Sequence, residues 1–177
     1  HLRCGKESSL QCVIGQDLSV AVEPGTALDF PGPGDPAAQI HLGLGRVGVF
    51  AGQGQAVALR TDTALVLSGP APCDLELSAF SQQSLLATSQ CDARFSDPKQ
   101  RKTVALAPYS SALLSQGRLM GPDTLGKRDL SDMNARWERA RLFFGQRKEL
   151  LGAMAAMPEH AAFVKALKKR LAADHAR

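Results

Sequence analysis

A chain of 177 residues, 44% hydrophobic and with a net charge of +4, has the size and apolar content for one folded domain with an appendage. This excludes a disordered chain, which needs fewer apolar residues and more charge, and no run of the roughly 20 apolar residues of a membrane span occurs. Four cysteines are too few for a scaffold held by disulfides alone.

The charge is unevenly placed. Residues 1–100 carry 6 Lys/Arg against 10 Asp/Glu, and residues 101–177 carry 15 against 7. Eleven of the 16 glycines and seven of the 10 prolines also fall in the first 100 residues. An acidic, turn-rich half and a basic half are therefore expected to differ in architecture, and attraction between them is the first guess for how they dock.

The chain opens at His1 without an initiator Met or a signal-like apolar stretch, which reads as a processed or trimmed N-terminus. The cysteines are Cys4, Cys12, Cys73 and Cys91. No C-x-x-C pair occurs, so zinc-ribbon and thioredoxin chemistry is disfavoured and no metal is expected. An even count in a Gly/Pro-rich β region predicts two disulfides and an oxidising compartment. Of the three connectivities, the local one is preferred, Cys4–Cys12 with Cys73–Cys91. Four reduced thiols is the alternative.

Short alternating segments follow. Leu18, Val20 and Val22 share one face of a strand. Residues 38–42, 46–50, 56–60, 65–67, 75–77, 85–87 and 103–106 continue the pattern. Turn residues separate them at 23–25, 31–36, 52–54, 69–72 and 97–99. Strands at this spacing predict a mainly β, antiparallel sandwich or coiled sheet. No helix fits before residue 108, so parallel βαβ units are not expected.

Residues 108–130 read as a connector. Ser131-Asp132 then offers a helix cap with an acid in the first turn. Met133, Trp137, Ala140, Phe144, Leu151 and Met154 recur at helical spacing. Pro158 suits the start of a second helix, with Phe163, Leu167 and Leu171 on a stripe and Lys165, Lys168, Lys169 and Arg170 mostly off it. The expected organisation is a disulfide-braced β domain at 1–107, a connector at 108–130 and a basic α-helical hairpin at 131–177.

The β segment carries a further pattern. Gly45-Arg46-Val47-Gly48-Val49 is a Gly followed by a V-x-V strand. Arg60-Thr61-Asp62-Thr63-Ala64-Leu65-Val66 contains T-x-x-A, and Thr103-Val104-Ala105-Leu106-Ala107-Pro108 forms a V-x-L-x-P close. Over residues 17–118 the chain resembles the FecR-type domain of bacterial envelope proteins. Tyr109 replaces the family's closing Gly, Gly69-Pro70 lacks its Thr, and the cysteines are outside its pattern. The resemblance implies a periplasmic, all-β, non-enzymatic signalling module, and it does not extend to the helices after residue 126.

Several constellations could carry chemistry. Gly43-Leu44-Gly45-Arg46-Val47-Gly48 spells a dinucleotide fingerprint, but a strand rather than a helix follows, so tight turns explain it better. His41 could act as a base oriented by Asp62 or Asp74, yet on an alternating strand it reads as an outward residue. Asp29, Asp35 and Asp62 could form a carboxylate cluster for acid–base work or Ca²⁺. Trp137 with Phe143 and Phe144 reads as helix-to-sheet packing, with a partner anchor as the alternative. Lys165, Lys168, Lys169 and Arg170 could meet an envelope protein, a cell-wall polymer or anionic lipid. No aromatic platform accompanies them, so nucleic acid is not expected.

These readings predict a periplasmic or extracellular, non-enzymatic binding or signalling module without cofactor. Trp137, Phe144, Lys165, Lys168, Lys169 and Arg170 are its partner-binding candidates. The alternative is a small secreted hydrolase or carbohydrate-active protein using the Asp and His residues of the β domain.

Overall fold

The computed structural model describes residues 1–14, 17–30 and 39–156, with side chains through residue 146. Among the described residues, thirteen strands precede one long helix. They are β1 (Leu2–Arg3), β2 (Leu10–Ile14), β3 (Leu18–Val22), β4 (Ala27–Asp29), β5 (Ile40–Ala51), β6 (Ala58–Arg60) and β7 (Leu65–Ser68). Then come β8 (Cys73–Phe80), β9 (Gln83–Thr88), β10 (Ala93–Ser96), β11 (Thr103–Leu106), β12 (Ser110–Ser115) and β13 (Arg118–Thr124), followed by α1 (Lys127–Ala156).

The strands form two layers that share β5. One layer runs β1-β4-β5-β6-β7-β10-β11, the other β2-β3-β5-β8-β9-β12-β13. At the far side β11 lies against β12 and β13, so the sheet nearly closes on itself. The inward residues that alternate along each strand fill one core. Val20, Val47, Leu75, Leu77 and Leu86 come from one layer, and Leu28, Leu59, Val66, Phe95 and Leu106 from the other.

β5 decides this arrangement. The sequence reads as two short strands there, but the chain forms one strand of 12 residues. Its first part pairs with β4 and β6, its second with β3 and β8. Gly45 sits where it passes between layers, at φ +102°. A Cβ there would lie 2.3 Å from Thr26 Oγ1 and 2.7 Å from Thr26 Cα. Thr26 also clamps the bend, its hydroxyl accepting the Arg46 N–H at 3.1 Å. Gly45→Ala should therefore cost about 2–4 kcal/mol in denaturant unfolding. Gly54→Ala, also at positive φ but into open space, should cost about 1 kcal/mol. Equal losses would refute the role of the bend.

Not all pairing is antiparallel. β5 and β6 run parallel, Ile40 opposite Leu59 and His41 opposite Arg60. The reason is topological: residues 52–57 return the chain to the layer that β5 left, beside the start of β5.

The T-x-x-A element has a plain physical basis. Thr61 N–H donates to Ala64 O at 2.8 Å, and the Thr61 hydroxyl accepts the N–H groups of Ala64 at 2.8 Å and Thr63 at 3.2 Å. That hydroxyl also bonds Ser84 Oγ of the other layer at 2.7 Å. Ala64 is fully buried, so a larger side chain has no room.

Residues 108–130 are more than a connector, because β12 and β13 form a hairpin within them. The helix starts at Lys127, ahead of the Ser131 cap, and runs unbroken to Ala156. The second helix expected after Pro158, with Phe163, Leu167 and Leu171, lies outside the described residues.

One predicted disulfide is present. Cys73 and Cys91 join across the open end of the β8–β9 hairpin, with Cα atoms 4.7 Å apart. Cys4 and Cys12 are free, which corrects the second pairing. Cys4 follows β1, which ladders with β4, and Cys12 lies in β2, which ladders with β3. Cys4 is held in the core, its thiol donating to Ser8 O at 2.9 Å. Burial, and then the neighbouring Cys4, push the Cys12 thiol above its ordinary pKa.

Candidate functional site

The most heavily bonded polar cluster lies on the outer face of β8. Along Cys73–Phe80, Leu75, Leu77 and Ala79 point into the core, which turns Asp74, Glu76 and Ser78 outward. Yet Asp74 is only 5% exposed and Glu76 7%. Buried carboxylates require charged or hydrogen-bonding partners. α1 supplies them.

Glu76 Oε2 accepts Arg136 Nη1 at 2.5 Å and the Trp137 indole N–H at 2.6 Å. Its other oxygen lies 3.4 Å from Arg46 Nε. Arg136 Nε also pairs with Glu23 at 3.1 Å, and Arg46 with Glu23 at 3.5 Å. One turn later, Arg141 holds Asp74 through Nε and through Nη2, the latter at 3.2 Å. The planar guanidinium suits such two-point capture of a carboxylate.

The apolar stripe of α1 seats between these ion pairs. Met133, Trp137 and Ala140 pack with Ala21, Phe50 and Ala87, flanked by Leu125 and Phe144. The Trp137 ring lies directly over Gly48, where a Cβ would come within 2.7 Å of it. Phe144 meets Phe50 with ring centroids 6.4 Å apart, and the Arg141 guanidinium sits 5.8 Å from the Phe50 ring centroid. From the edge strand, Gln11 Nε2 donates to Ala140 O at 3.0 Å. Every buried side-chain polar atom among the described residues has a partner.

The sequence-derived candidates divide as follows. Trp137 is spent on the protein's own sheet, 4% exposed, and Phe144 lines the same seat. Lys165, Lys168, Lys169, Arg170 and Asp35 lie outside the described residues. Asp74 is taken by Arg141 and does not orient His41.

His41 does meet Asp62, with Nε2 3.0 Å from Oδ1, while its Nδ1 lies 3.6 Å from Asp29. Asp29 is also 2.6 Å from His1 Nδ1. The hydroxyls of Thr61, Thr63 and Ser84 bond one another. No group able to hold a metal occurs among the described residues. The Gly43–Gly48 fingerprint lies wholly within β5, so no helix N-terminus stands there for a phosphate.

Sequence reasoning misses Glu23, Glu76, Arg136 and Arg141, and meets Arg46 and Gly48 only as part of the glycine fingerprint. Two signals point to them: acids alternating with leucines in Asp74-Leu75-Glu76-Leu77, and a glycine inside a strand at Gly48.

No protein-family model matches the chain, and no curated protein matches it. Among solved structures, two of a "putative anti-sigma factor" from Parabacteroides distasonis share its fold. One, at 1.65 Å resolution, aligns with TM-score 0.62 at 11% identity over 75% of this chain. The other, at 2.50 Å, aligns with TM-score 0.61 at 12% identity over 73% of this chain. The chain spans 64% and 62% of the length of those structures.

Proposed function

We propose that this chain is a non-enzymatic signalling module of the bacterial cell envelope. In this reading its FecR-like β domain, braced by α1, recognises another envelope protein. The observation that carries the reading is the use of the buried acids. Asp74 and Glu76, the two buried carboxylates among the described residues, are bonded to arginines of α1 and so hold the helix on the sheet.

The fold shared with the Parabacteroides structures supports a regulatory role. The Cys73–Cys91 disulfide is compatible with a periplasmic or extracellular site. No helix among the described residues is long and apolar enough to cross a membrane.

The test is affinity capture from an envelope fraction with the full chain as bait. One envelope protein retained specifically and in stoichiometric amount is the expected result. Turnover of glycan or ester substrates that is lost in His41→Ala would favour the hydrolase reading instead. The His41–Asp62 contact gives that reading its one point of support.

A further inference from the structure

α1 covers only part of the outer face of its layer. It lies over the cross-strand rows that contain Asp74 and Glu76. Among the described residues α1 does not cover the next two rows, though Arg46 closes over Ser78, its Nε donating to Ser78 Oγ at 2.9 Å. One runs Ser78–Leu85–Leu113–Met120 and the other Phe80–Gln83–Ser115–Arg118. On these rows Phe80 is 47% exposed, Leu85 38% and Met120 36%. Leu85, Leu113 and Met120 are direct neighbours across three strands, so the apolar surface is continuous.

Cations border this floor at one end. Three turns converge there: Ser81–Gln82, Asp97–Lys102 and Gln116–Gly117. Gln116 N–H donates to Gln82 O at 3.2 Å, and Lys102 Nζ to Gly117 O at 2.6 Å. Lys99, Arg101, Lys102 and Arg118 are all exposed on or beside these turns. Asp97 is the acid among them, and it accepts the Lys102 backbone N–H at 2.8 Å. Arg46 stands over Phe80, 5.9 Å from its ring centroid.

We infer that this floor and its basic border bind an acidic segment of a partner protein, apolar on one side. The inference rests on the proposed function and deepens it by placing the contact. Charge argues for this occupant, since Lys99, Arg101, Lys102 and Arg118 make the border basic and complementary to acidic side chains. It also argues against the chain's own tail, where Lys165, Lys168, Lys169 and Arg170 carry the same sign. A bilayer fits less well: the apolar side chains stand along the sheet normal, whereas the turns project along the strands. A polypeptide can follow both directions.

The probe is a fluorescein-labelled amphipathic peptide of Glu and Leu, about five helical turns long. Its Lys/Leu counterpart and vesicles of phosphatidylcholine with phosphatidylglycerol are run beside it. The full chain should bind the Glu/Leu peptide, more weakly as salt rises. Lys102→Glu with Arg118→Glu, and separately Leu85→Ser with Met120→Ser, should each weaken binding about tenfold. Arg94→Glu, on the other layer, should not.

Equal binding of the Lys/Leu peptide, or an equal loss in Arg94→Glu, would overturn the inference. So would vesicle binding without peptide binding, or a self-association that Met120→Ser abolishes. A photocrosslinker at Leu85 captured by residues 157–177 would make the tail the occupant and overturn it too. Capture of an envelope protein that is indifferent to these variants would remove this surface but leave the proposed function standing.

Discussion

Trp137→Ala should destabilise the protein by about 3–5 kcal/mol, seen as a lower denaturant midpoint. The indole is 4% exposed and is seated over Gly48. Its loss leaves a cavity between α1 and the sheet and deprives Glu76 of an N–H. Glu76→Ala should cost a similar amount for a different reason: two arginines then lie against the sheet with their shared carboxylate gone. Glu76→Gln keeps an acceptor and should lose less. In both severe variants α1 should become sensitive to trypsin at Arg136, Arg139 and Arg141, while the strands stay resistant. The wild-type tryptophan, the sole one in the chain, reports docking directly through a blue-shifted emission. Unchanged midpoints together with unchanged trypsin resistance of α1 would show that the helix is not held by this seat.

Removal of the Cys73–Cys91 bridge is the second large effect. It closes a loop of sequence separation 18, so its loss should cost about 3 kcal/mol. Cys73→Ala with Cys91→Ala, and dithiothreitol on the wild type, should lower the midpoint equally. Alkylation of Cys12 should do far less, since that residue lies on an edge strand and forms no bridge. Non-reducing peptide maps should recover 73 linked to 91, with Cys4 and Cys12 as free thiols. A midpoint insensitive to reductant would overturn the brace. Cys12 bears on alkaline stability. Because folding raises the Cys12 pKa, the stability it contributes is present at neutral pH. That contribution is lost as pH rises through the raised value.

The docking of α1 relates these effects to the charge split of the sequence. Arg136 and Arg141, from the basic half, reach Glu23, Asp74 and Glu76 in the acidic half. Attraction between the halves is thus visible as three named ion pairs, with the apolar stripe between them. The acids Asp74 and Glu76 lie at low exposure, where removing one partner is costly because the other charge is left buried.

Local pattern alone determined a good deal. Alternation marks β3, β7 and β11 because side chains on a strand alternate between the two faces of the sheet, only one of which meets the main core. The stripe Met133, Trp137, Ala140, Phe144 defines the buried face of α1 for the same kind of reason, at a period of 3.6. The bridge Cys73–Cys91 follows from two cysteines flanking one hairpin.

What periodicity cannot carry is the choice of neighbour. That β5 is one strand rather than two depends on Thr26, 19 residues before Gly45, accepting a bond at the bend. That β5 and β6 run parallel, and that 110–124 forms a hairpin, depends on which edges lie open once the layers stack. Cys4 and Cys12 are close in sequence and in space, but the Cys4 thiol is turned to Ser8 O and forms no bridge. The cluster at Glu76 is the extreme case, since its partners Arg136 and Trp137 lie 60 and 61 residues away. An acid among leucines in the sequence announces only that a partner is needed. The tertiary structure supplied the partner, because burying a carboxylate is affordable only where the fold brings a cation and an N–H to meet it.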